Sequence, residues 1–313
     1  MTKKIKCKLP KFEVTNMVSI MDAEQQAGWD VTAFNLPKVW NKTRGEGVKI
    51  AVLDTGCNLD HPDLVDNLLP GINFVNKGKP PEDDCKHGTH VTGIICAENN
   101  DIGMIGVAPD AKVIPVKVLD SHGAGDLATV AEGIRWAADN GADIIAMSLG
   151  APSPLQNIRK AIQYAESKGI PTFVAAGNMG KSKELLYPAN YPETISVGSI
   201  DENFDRSNFS NTGDNLDFMA PGGKIFSTVP EHCYAILSGT SMACPFAVGV
   251  AALCLSWQRK HDPEHPIFGS RAFVELFKQH TIPIGDAQYA GQKFFQGFGI
   301  IDPRKFKEWI DAN

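Results

Sequence analysis

Three polar residues, Asp54, His87 and Ser241, have the types and the chain order that catalysis by an activated serine requires. A serine hydroxyl becomes a nucleophile when a neighbouring base takes its proton, and a histidine base needs an anion to fix its tautomer. The order Asp, His, Ser along a chain is one of three in which such triads occur. The sequence therefore predicts Ser241 as nucleophile, His87 as general base and Asp54 as the residue that orients the histidine.

Each of the three residues also has an ordinary structural interpretation. Asp54 can cap a turn, His87 stands beside a glycine at a helix start, and a serine at the N-cap of a helix is common. His61 is a rival base, but it lies in a turn sequence, and His90 is expected to have a structural role. The combination of the three residues is therefore more informative than any one of them.

The pattern of apolar residues indicates how the chain positions these groups. Buried strands are predicted at Val48–Leu53, Lys112–Val118, Ile144–Met147, Thr172–Ala176 and Ile195–Val197. Helical spacing follows Leu127 and ends at Gly141. This alternation predicts an α/β fold of three layers, with a mostly parallel sheet and helices on both faces. Active sites in such folds form beyond the carboxyl ends of the strands, where Asp54 is expected.

Two further predictions concern single elements. Pro115 lacks the N–H that a ladder needs, so the strand at 112–118 is expected to be bulged or at a sheet edge. The small and apolar run after Ser241 predicts a buried helix with this serine at or just before its first turn. The unpaired N–H groups at a helix start favour negative charge, which suits a site where charge develops.

The composition excludes several classes of protein. The chain has 313 residues, 43% hydrophobic and 21% charged, with a formal net charge of -6, so the basic surface of a nucleic-acid-binding protein is not expected. Seven cysteines without a CxxC pair argue against a disulfide framework or a zinc ribbon. Neither a signal peptide nor a membrane span is recognised, which predicts a cytoplasmic protein without a membrane partner.

The chain is predicted to have two parts. Residues 1–24 carry a cluster of lysines and read as an appended segment, whereas residues 25–313 read as one domain without an internal linker. A dinucleotide- or nucleotide-binding α/β protein is an alternative, but no GxGxxG or Walker motif follows a strand.

Taken together, the motifs resemble those of the subtilisin-like serine proteases from about residue 25 to residue 303. The matching blocks are Asp54-Thr55-Gly56, His87-Gly88-Thr89-His90, Gly106-Val107-Ala108-Pro109, Met147-Ser148-Leu149-Gly150, Ala175-Ala176-Gly177-Asn178, Gly239-Thr240-Ser241-Met242-Ala243 and Gly297-Phe298-Gly299-Ile300-Ile301-Asp302. The short N-terminal extension and Cys57 are more similar to the intracellular subtilisins. The resemblance implies a serine endopeptidase that acts through an acyl-enzyme, with broad specificity for peptide and protein substrates.

The resemblance also implies roles for further residues. Asn178 matches the asparagine of the oxyanion hole. Residues that match the two strands binding the substrate backbone are Gly123, Ala124 and Gly125, and Ser148, Leu149 and Gly150. The walls of the first specificity pocket match Ala175, Ala176 and Gly177, and Leu185 or Leu186 is expected to make this pocket shallower.

A structural calcium ion is the cofactor that the resemblance implies. Side-chain ligands are expected from Gln25, Asp63 and Asn100, and backbone carbonyl ligands from Glu98, Ile102 and Met104. Oxygen ligands of this kind suit calcium.

Residues 1–24 match in length the inhibitory propeptide of the intracellular subtilisins. Leu9-Pro10 is the candidate plug of the active cleft, because a bond beside proline is a poor substrate. Three alternatives stay open: a catalytically silent regulatory module of the same fold, a processing protease with one substrate, and a disordered tail in place of a propeptide. The sequence also leaves open whether the protein forms a homodimer.

Overall fold

The structure is a computed structural model that describes residues 6–10, 13–19, 24–180 and 184–306, with only the backbone described at 13–19. The strands are β1 Lys6–Lys8, β2 Glu13–Ser19, β3 Lys49–Asp54, β4 Ile72–Asn73, β5 Lys112–Lys117, β6 Ala124–Asp126, β7 Ile144–Met147, β8 Thr172–Ala175, β9 Ile195–Ile200, β10 Phe218–Pro221, β11 Ile225–Val229, β12 Cys233–Ser238, β13 Thr281–Ile282 and β14 Ile300–Ile301. The helices are α1 Trp29–Ala33, α2 Leu36–Trp40, α3 His87–Cys96, α4 Leu127–Asp139, α5 Gln156–Ser167, α6 Thr240–His261, α7 Gly269–Phe277 and α8 Lys293–Gln296.

A nine-stranded sheet forms the centre of the molecule, in the order β13-β14-β10-β9-β8-β7-β3-β5-β4. All neighbours pair in parallel except β13 with β14. Its middle strands are apolar and buried, as expected when both faces of a sheet are covered. Helices α4 and α5 pack on each other, and α3 packs on α6, which gives the predicted three-layer α/β fold.

The central helix α6 connects the region of Ser241 to the core. Every residue from Thr240 to Gln258 is buried, because the helix lies against β7, β8, β9 and β10. It is long and apolar enough to cross a membrane by composition, but its apolar window is wholly buried inside the protein, as in the core helix of a globular domain.

The prediction for Pro115 was wrong in its details. Strand β5 is next to the edge, and its register with β3 runs without a bulge from Lys49↔Lys112 to Asp54↔Lys117. The edge strand β4 pairs only with Val116 and Lys117. Pro115 therefore lies beyond the end of the short edge strand, where no ladder partner needs its N–H.

Two small antiparallel sheets involve the first 19 residues. Strand β1 pairs with β6, and β2 pairs with the outer edge of β12, whose other edge pairs with β11. All seven cysteines are free thiols, in agreement with the sequence-based expectation.

Candidate active site

Asp54 and His87 form a buried hydrogen-bonded pair. Asp54 is the last residue of β3, at the carboxyl edge of the sheet, and His87 is the first residue of α3. His87 Nδ1 lies 2.8 Å from Asp54 Oδ1, and both side chains are almost fully buried. A carboxylate can only accept, so Nδ1 carries the proton and Nε2 is left as the basic nitrogen of a neutral ring. This is the tautomer that a general base for a hydroxyl requires.

Ser241 is in the first turn of α6, one residue after the helix begins at Thr240. Its hydroxyl is buried and has no hydrogen-bond partner among the residues that the structure describes. The backbone at Ser241 is held by Ser148, whose Oγ donates to the Ser241 carbonyl at 3.0 Å. Ser241 therefore combines a fixed backbone with the N–H-rich end of a long helix.

Asn178 is held beside the start of this helix. Its Oδ1 accepts hydrogen bonds from Thr240 N at 2.9 Å and from Thr240 Oγ1 at 2.7 Å. The same Thr240 Oγ1 accepts from Gly177 N at 3.0 Å, which ties the loop after β8 to α6. Since Oδ1 accepts, the amide nitrogen lies on the other side of the carboxamide, 2.9 Å from where a Cβ on Gly239 would stand. Asn178 thus presents an N–H donor next to the start of the helix that carries Ser241.

The two predicted substrate-binding strands are brought together by the chain's own N-terminal residues. Lys6, Cys7 and Lys8 pair antiparallel with Asp126, Gly125 and Ala124 on one side. On the same side Leu9 N donates to Gly123 O at 3.0 Å. On the other side Lys8 exchanges two 3.0 Å hydrogen bonds with the backbone of Gly150. The segment 6–10 is therefore the middle strand between 123–126 and 150.

Side chains of this segment are also buried against the cleft. Cys7 is fully buried, Leu9 packs on the core, and Pro10 is buried. A Cβ on Gly123 would stand 2.6 Å from Leu9 Cδ1, so the close contact needs glycine there. The left-handed φ of Gly123, +65°, adds a second reason for glycine.

The predicted specificity pocket has Leu186 at its walls. Ala175 and Ala176 are buried at the end of β8, and Leu186 N donates to Ala176 O at 3.0 Å. A Cβ on Gly150 would stand 2.8 Å from Leu186 Cβ, and one on Gly177 would stand 2.9 Å from Leu186 Cγ. Leu186 therefore lies between the two glycine walls, whereas Leu185 is next to Gly213.

The six predicted calcium ligands gather around the loop that follows α3. The Nε2 of Gln25 donates to three carbonyls, Glu98 O at 2.7 Å, Met104 O at 3.2 Å and Ile102 O at 3.3 Å. Three carbonyl oxygens that converge on one point form an electronegative cradle. Asn100 is anchored next to it, with Nδ2 donating to Pro62 O at 3.2 Å.

Asp63 completes this cradle as a buried carboxylate that has no ion-pair partner among the described residues. Its Oδ2 accepts from Met104 N at 3.0 Å and from Tyr234 Oη at 3.2 Å. Its Oδ1 is buried and has no partner within the described part of the chain. Burial raises the pKa of Asp63 to about 7. An orphaned carboxylate oxygen beside converging carbonyls fits a hard cation such as calcium.

No group of three His, Cys, Asp or Glu side chains within the described ranges is arranged to hold a metal. The cradle combines one carboxylate, that of Asp63, with carbonyl and amide oxygens, a ligand set that suits calcium better than zinc.

The sequence-based reasoning missed Asp83, which holds the loop before His87. Asp83 is buried, and its carboxylate accepts from Thr55 Oγ1, from the backbone and hydroxyl of Thr89, and from two N–H groups of the loop. Burial raises its pKa. The sequence contained one indication of this role: the acidic pair Asp83-Asp84 stands shortly before a predicted helix start at His87, where carboxylates often accept from backbone N–H groups.

Lys117 was also missed. It is the last residue of β5, is buried, and donates to Thr55 O at 2.5 Å and to Asp84 Oδ1 at 2.6 Å. It therefore fixes the backbone directly after Asp54 from the neighbouring strand. A lysine at the end of an apolar strand, at the edge where sites form, was the signal.

The two rival histidines lie behind β12. His90 Nε2 is 3.1 Å from Ala235 O, and His61 Nε2 is 3.3 Å from Cys233 O. Burial lowers the pKa of His90 to about 3 and that of His61 to about 4. Both rings are therefore neutral at ordinary pH and support a strand.

Comparison with known proteins places this geometry in a family. The family model of the subtilases, peptidase family S8, matches residues 45–299. An intracellular serine protease of Paenibacillus polymyxa is 43% identical over 267 residues, which cover 82% of this chain and 81% of that protein. Subtilisin E of Bacillus subtilis strain 168 is 43% identical, with 82% of this chain and 65% of that protein covered. A subtilisin of Bacillus pumilus is 42% identical, with 82% and 90% covered. The chain thus belongs to the subtilase family and is a serine endopeptidase.

Proposed function

We propose that this endopeptidase uses Ser241 as nucleophile, His87 as general base, Asp54 as orienting anion and Asn178 as oxyanion donor. The observation that carries the assignment is the buried 2.8 Å hydrogen bond between His87 Nδ1 and Asp54 Oδ1. It leaves Nε2 as the basic nitrogen of the neutral imidazole. The alternative of a silent module has no support in the site, because none of these side chains is replaced.

The reaction follows from the donors and acceptors present. Ser241 Oγ attacks the scissile carbonyl while His87 takes its proton, and the ring then gives that proton to the leaving amine. Water enters by the same route and releases the acyl group from Ser241. The negative oxygen of each tetrahedral intermediate would be held by Asn178 Nδ2 and the backbone N–H at Ser241. In a subtilisin, loss of one such donor lowers kcat by about 10²–10³-fold.

Substrates are proposed to bind where residues 6–10 now lie. The hydrogen bonds of this segment to Gly123 and Gly150 join backbone groups only, so the same positions can hold any extended polypeptide. Main-chain recognition supports broad specificity. Side-chain selection would come from the pocket beside Leu186, which favours small or medium residues before the scissile bond.

Residues 1–24 are proposed to act as an inhibitory propeptide, attached to a catalytic domain formed by residues 25–313. The segment 6–10 fills both sides of the cleft and buries Cys7 and Pro10, so a substrate cannot bind while it is in place. Proline has no N–H and a fixed φ, which makes the bonds around it poor substrates. Such a latent form suits a cytoplasmic protease, and the Paenibacillus polymyxa relative is named as intracellular.

Calcium is proposed as a structural cofactor held by Gln25, Asp63 and Asn100 through side chains and by Glu98, Ile102 and Met104 through carbonyls. The orphaned Asp63 Oδ1 and the three converging carbonyls support it. The ion would supply the positive charge that the buried carboxylate lacks, and would stabilise the folded protein by mass action.

Labelling with a fluorophosphonate probe tests the catalytic proposal directly. The full-length protein is expected to react at Ser241 after its extension has been released, and the Ser241→Ala variant is expected not to react. Unchanged labelling of the variant would remove Ser241 from the proposed role.

A synthetic peptide of residues 1–20 tests the inhibitory proposal. It is expected to inhibit a chain truncated to start at Gln25, and the truncated chain is expected to be more active than the intact full-length enzyme. A peptide of the same composition in scrambled order is the matched control. Equal initial rates for the two proteins, with the extension intact by mass, would contradict the proposal.

A further inference from the structure

Lys117 is a buried lysine beside the hydrogen-bonded pair of Asp54 and His87. It is the last residue of β5 and stands in register with Asp54, the last residue of β3. Its side chain is only 2% exposed, and its Nζ donates to Thr55 O at 2.5 Å and to Asp84 Oδ1 at 2.6 Å. Lysine is almost never buried to this extent without partners, and here both partners belong to the loops that carry the site.

Thr55 connects Lys117 to the Asp54–His87 pair. The N–H of Thr55 donates to Asp54 Oδ1 at 2.7 Å, and this is the oxygen that also contacts His87 Nδ1 at 2.8 Å. The Oγ1 of Thr55 accepts from Gly88 N, in the first turn of α3, at 2.9 Å. Lys117 therefore fixes the residue that orients the Asp54 carboxylate and anchors the helix start at His87.

Asp84 connects the same lysine to the loop before His87. Asp84 is half exposed, whereas Lys117 is buried. The preceding residue, Asp83, accepts from Thr55 Oγ1 at 2.8 Å. The end of β3 and the loop before α3 are thus joined at two adjacent residues, and one of these two connections is an ion pair.

The charge of Lys117 also reaches the groups around His87. Burial raises the pKa of the Cys85 thiol to about 11, the carboxylates of Asp83 and Asp54 raise it further, and Lys117 lowers it. Other titratable or charged groups around the pair are Asp84 and Lys86 of the loop, His90 of α3 and Cys244 of α6. Burial keeps His90 and the two thiols neutral at ordinary pH, so the charges that act on the imidazole are those of the lysines and carboxylates.

We propose that Lys117 is a positioning residue for the Asp54–His87 pair and that its ion pair with Asp84 sets the charge balance at His87. Through Thr55, Lys117 keeps the carboxylate and the start of α3 in one arrangement. Its positive charge opposes protonation of the imidazole, and the negative charge of Asp84 opposes that effect. The inference rests on the proposed function, because it takes His87 as the general base.

The pH dependence of two single variants tests the inference. Each full-length variant is activated by a trace of affinity-tagged parent enzyme, which is then removed, and its active sites are counted by complete reaction with a fluorophosphonate probe. Values of kcat and KM for one peptide substrate are then measured from pH 5 to pH 9. The rising limb of kcat/KM against pH reports loss of the proton from the base of the free enzyme.

Lys117→Met is expected to lower kcat by about tenfold or more with KM within about threefold of the parent, because the Asp54–His87 pair loses its alignment. Loss of the cation favours the imidazolium, so the rising limb is expected to move up by about half a pH unit.

Asp84→Asn is expected to move the rising limb in the opposite direction. Lys117 then keeps its bond to Thr55 but loses its counter-charge, so the limb is expected to move down by about half a pH unit. The fall in kcat is expected to be smaller than in Lys117→Met. In the double variant, kcat is expected to stay low while the limb returns toward that of the parent.

Lys112→Met is the matched control. Lys112 is the first residue of β5, and its Nζ also donates to a backbone carbonyl, Asp66 O, at 2.8 Å. This variant is expected to keep the kcat and the pH profile of the parent. Urea unfolding of every variant establishes that the proteins compared are folded.

Three results would overturn the inference: a Lys117→Met enzyme with the kcat of the parent, limbs that move in the same direction in the two single variants, or limbs that stay in place in both. If Lys117→Met does not fold, Asp84→Asn decides, since an upward shift or no shift contradicts the charge balance. A parent that neither cleaves the peptide nor reacts with the probe at Ser241 refutes the proposed function itself. An active parent with unshifted variants refutes only the role of Lys117.

Discussion

Replacing Asp63 by asparagine is expected to have opposite effects on stability with and without calcium. Asp63 is fully buried, and its Oδ1 has no partner among the described residues. Burial raises its pKa from the ordinary 3.8 to about 7. The ionised carboxylate without an ion therefore destabilises the folded protein, and the neutral asparagine would not.

The magnitude follows from the shift in the pKa of Asp63. About three pKa units correspond to roughly 4 kcal/mol, at about 1.4 kcal/mol for each unit. Below pH 4 the carboxyl is protonated in both states and contributes nothing. Between pH 4 and pH 7 the folded state holds the proton that the unfolded state has lost, so the free energy of unfolding falls as the pH rises. Above pH 7 the full cost is present.

Asparagine keeps an acceptor for Met104 N and Tyr234 Oη but buries an amide N–H, which costs about 1–3 kcal/mol if unpaired. In chelator at pH 8, Asp63→Asn is thus expected to be more stable than the parent by about 1–3 kcal/mol. At pH 4.5 it is expected to be equal or less stable. In excess calcium the order reverses, because an ion at about 1,000 times its Kd stabilises the parent by about 4.1 kcal/mol and the variant loses the charged ligand.

The assay is urea unfolding followed by tryptophan fluorescence, in a Ser241→Ala background that prevents autolysis. Asp66→Asn is the matched control, since Asp66 is an exposed carboxylate three residues along and should change stability by less than about 0.5 kcal/mol. A variant at Asp63 that is less stable than the parent in chelator at both pH values would refute the reasoning.

Three further substitutions test the site. Ser241→Ala is expected to lower kcat by about 10⁴–10⁶-fold, while the free energy of unfolding changes by less than about 2 kcal/mol. A rate of peptide hydrolysis within tenfold of the parent would contradict this prediction. Leu186→Ala is expected to raise the preference for phenylalanine over alanine before the scissile bond by about tenfold, measured as the ratio of the two kcat/KM values. An unchanged ratio would show that Leu186 does not shape the pocket. Asp83→Ala is expected to lose about 2–4 kcal/mol in urea unfolding because several buried donors lose their acceptor, whereas Asp66→Ala, at an exposed carboxylate, should lose less than about 1 kcal/mol. Equal losses at 83 and 66 would argue against the Asp83 network.

The central parallel strands and the edge that carries the site could be predicted from the sequence. Apolar runs that end in Asp54 or lead into Ser148 and Asn178 indicate which side chains meet at the carboxyl edge of a parallel sheet. The helix start at Ser241 could be predicted for the same reason, since its apolar run is long and uninterrupted.

What could not be predicted depends on pairing between distant segments. Residues 13–19 pair with residues 233–238, which lie more than two hundred positions further along the chain. An alternating apolar pattern predicts a strand but does not show which other strand it pairs with. Pro115 was misjudged because the sequence does not show that the edge strand β4 pairs only with Val116 and Lys117 and leaves Pro115 beside Gly71. Asp83 looks like an exposed acidic residue until the fold buries it under Thr55 and Thr89.

The distance along the chain between β2 and β12 bears on the synthesis of the protein. Chains leave the ribosome from the N-terminus, and domains fold as their last elements emerge. The partners of the extension, at 124–126, 150 and 233–238, are all synthesised before Ser241. A nascent chain therefore contains residues 6–19 and all the strands they pair with before Ser241 is added. On the proposal that this segment closes the cleft, the inhibitor is synthesised before the catalytic site is complete.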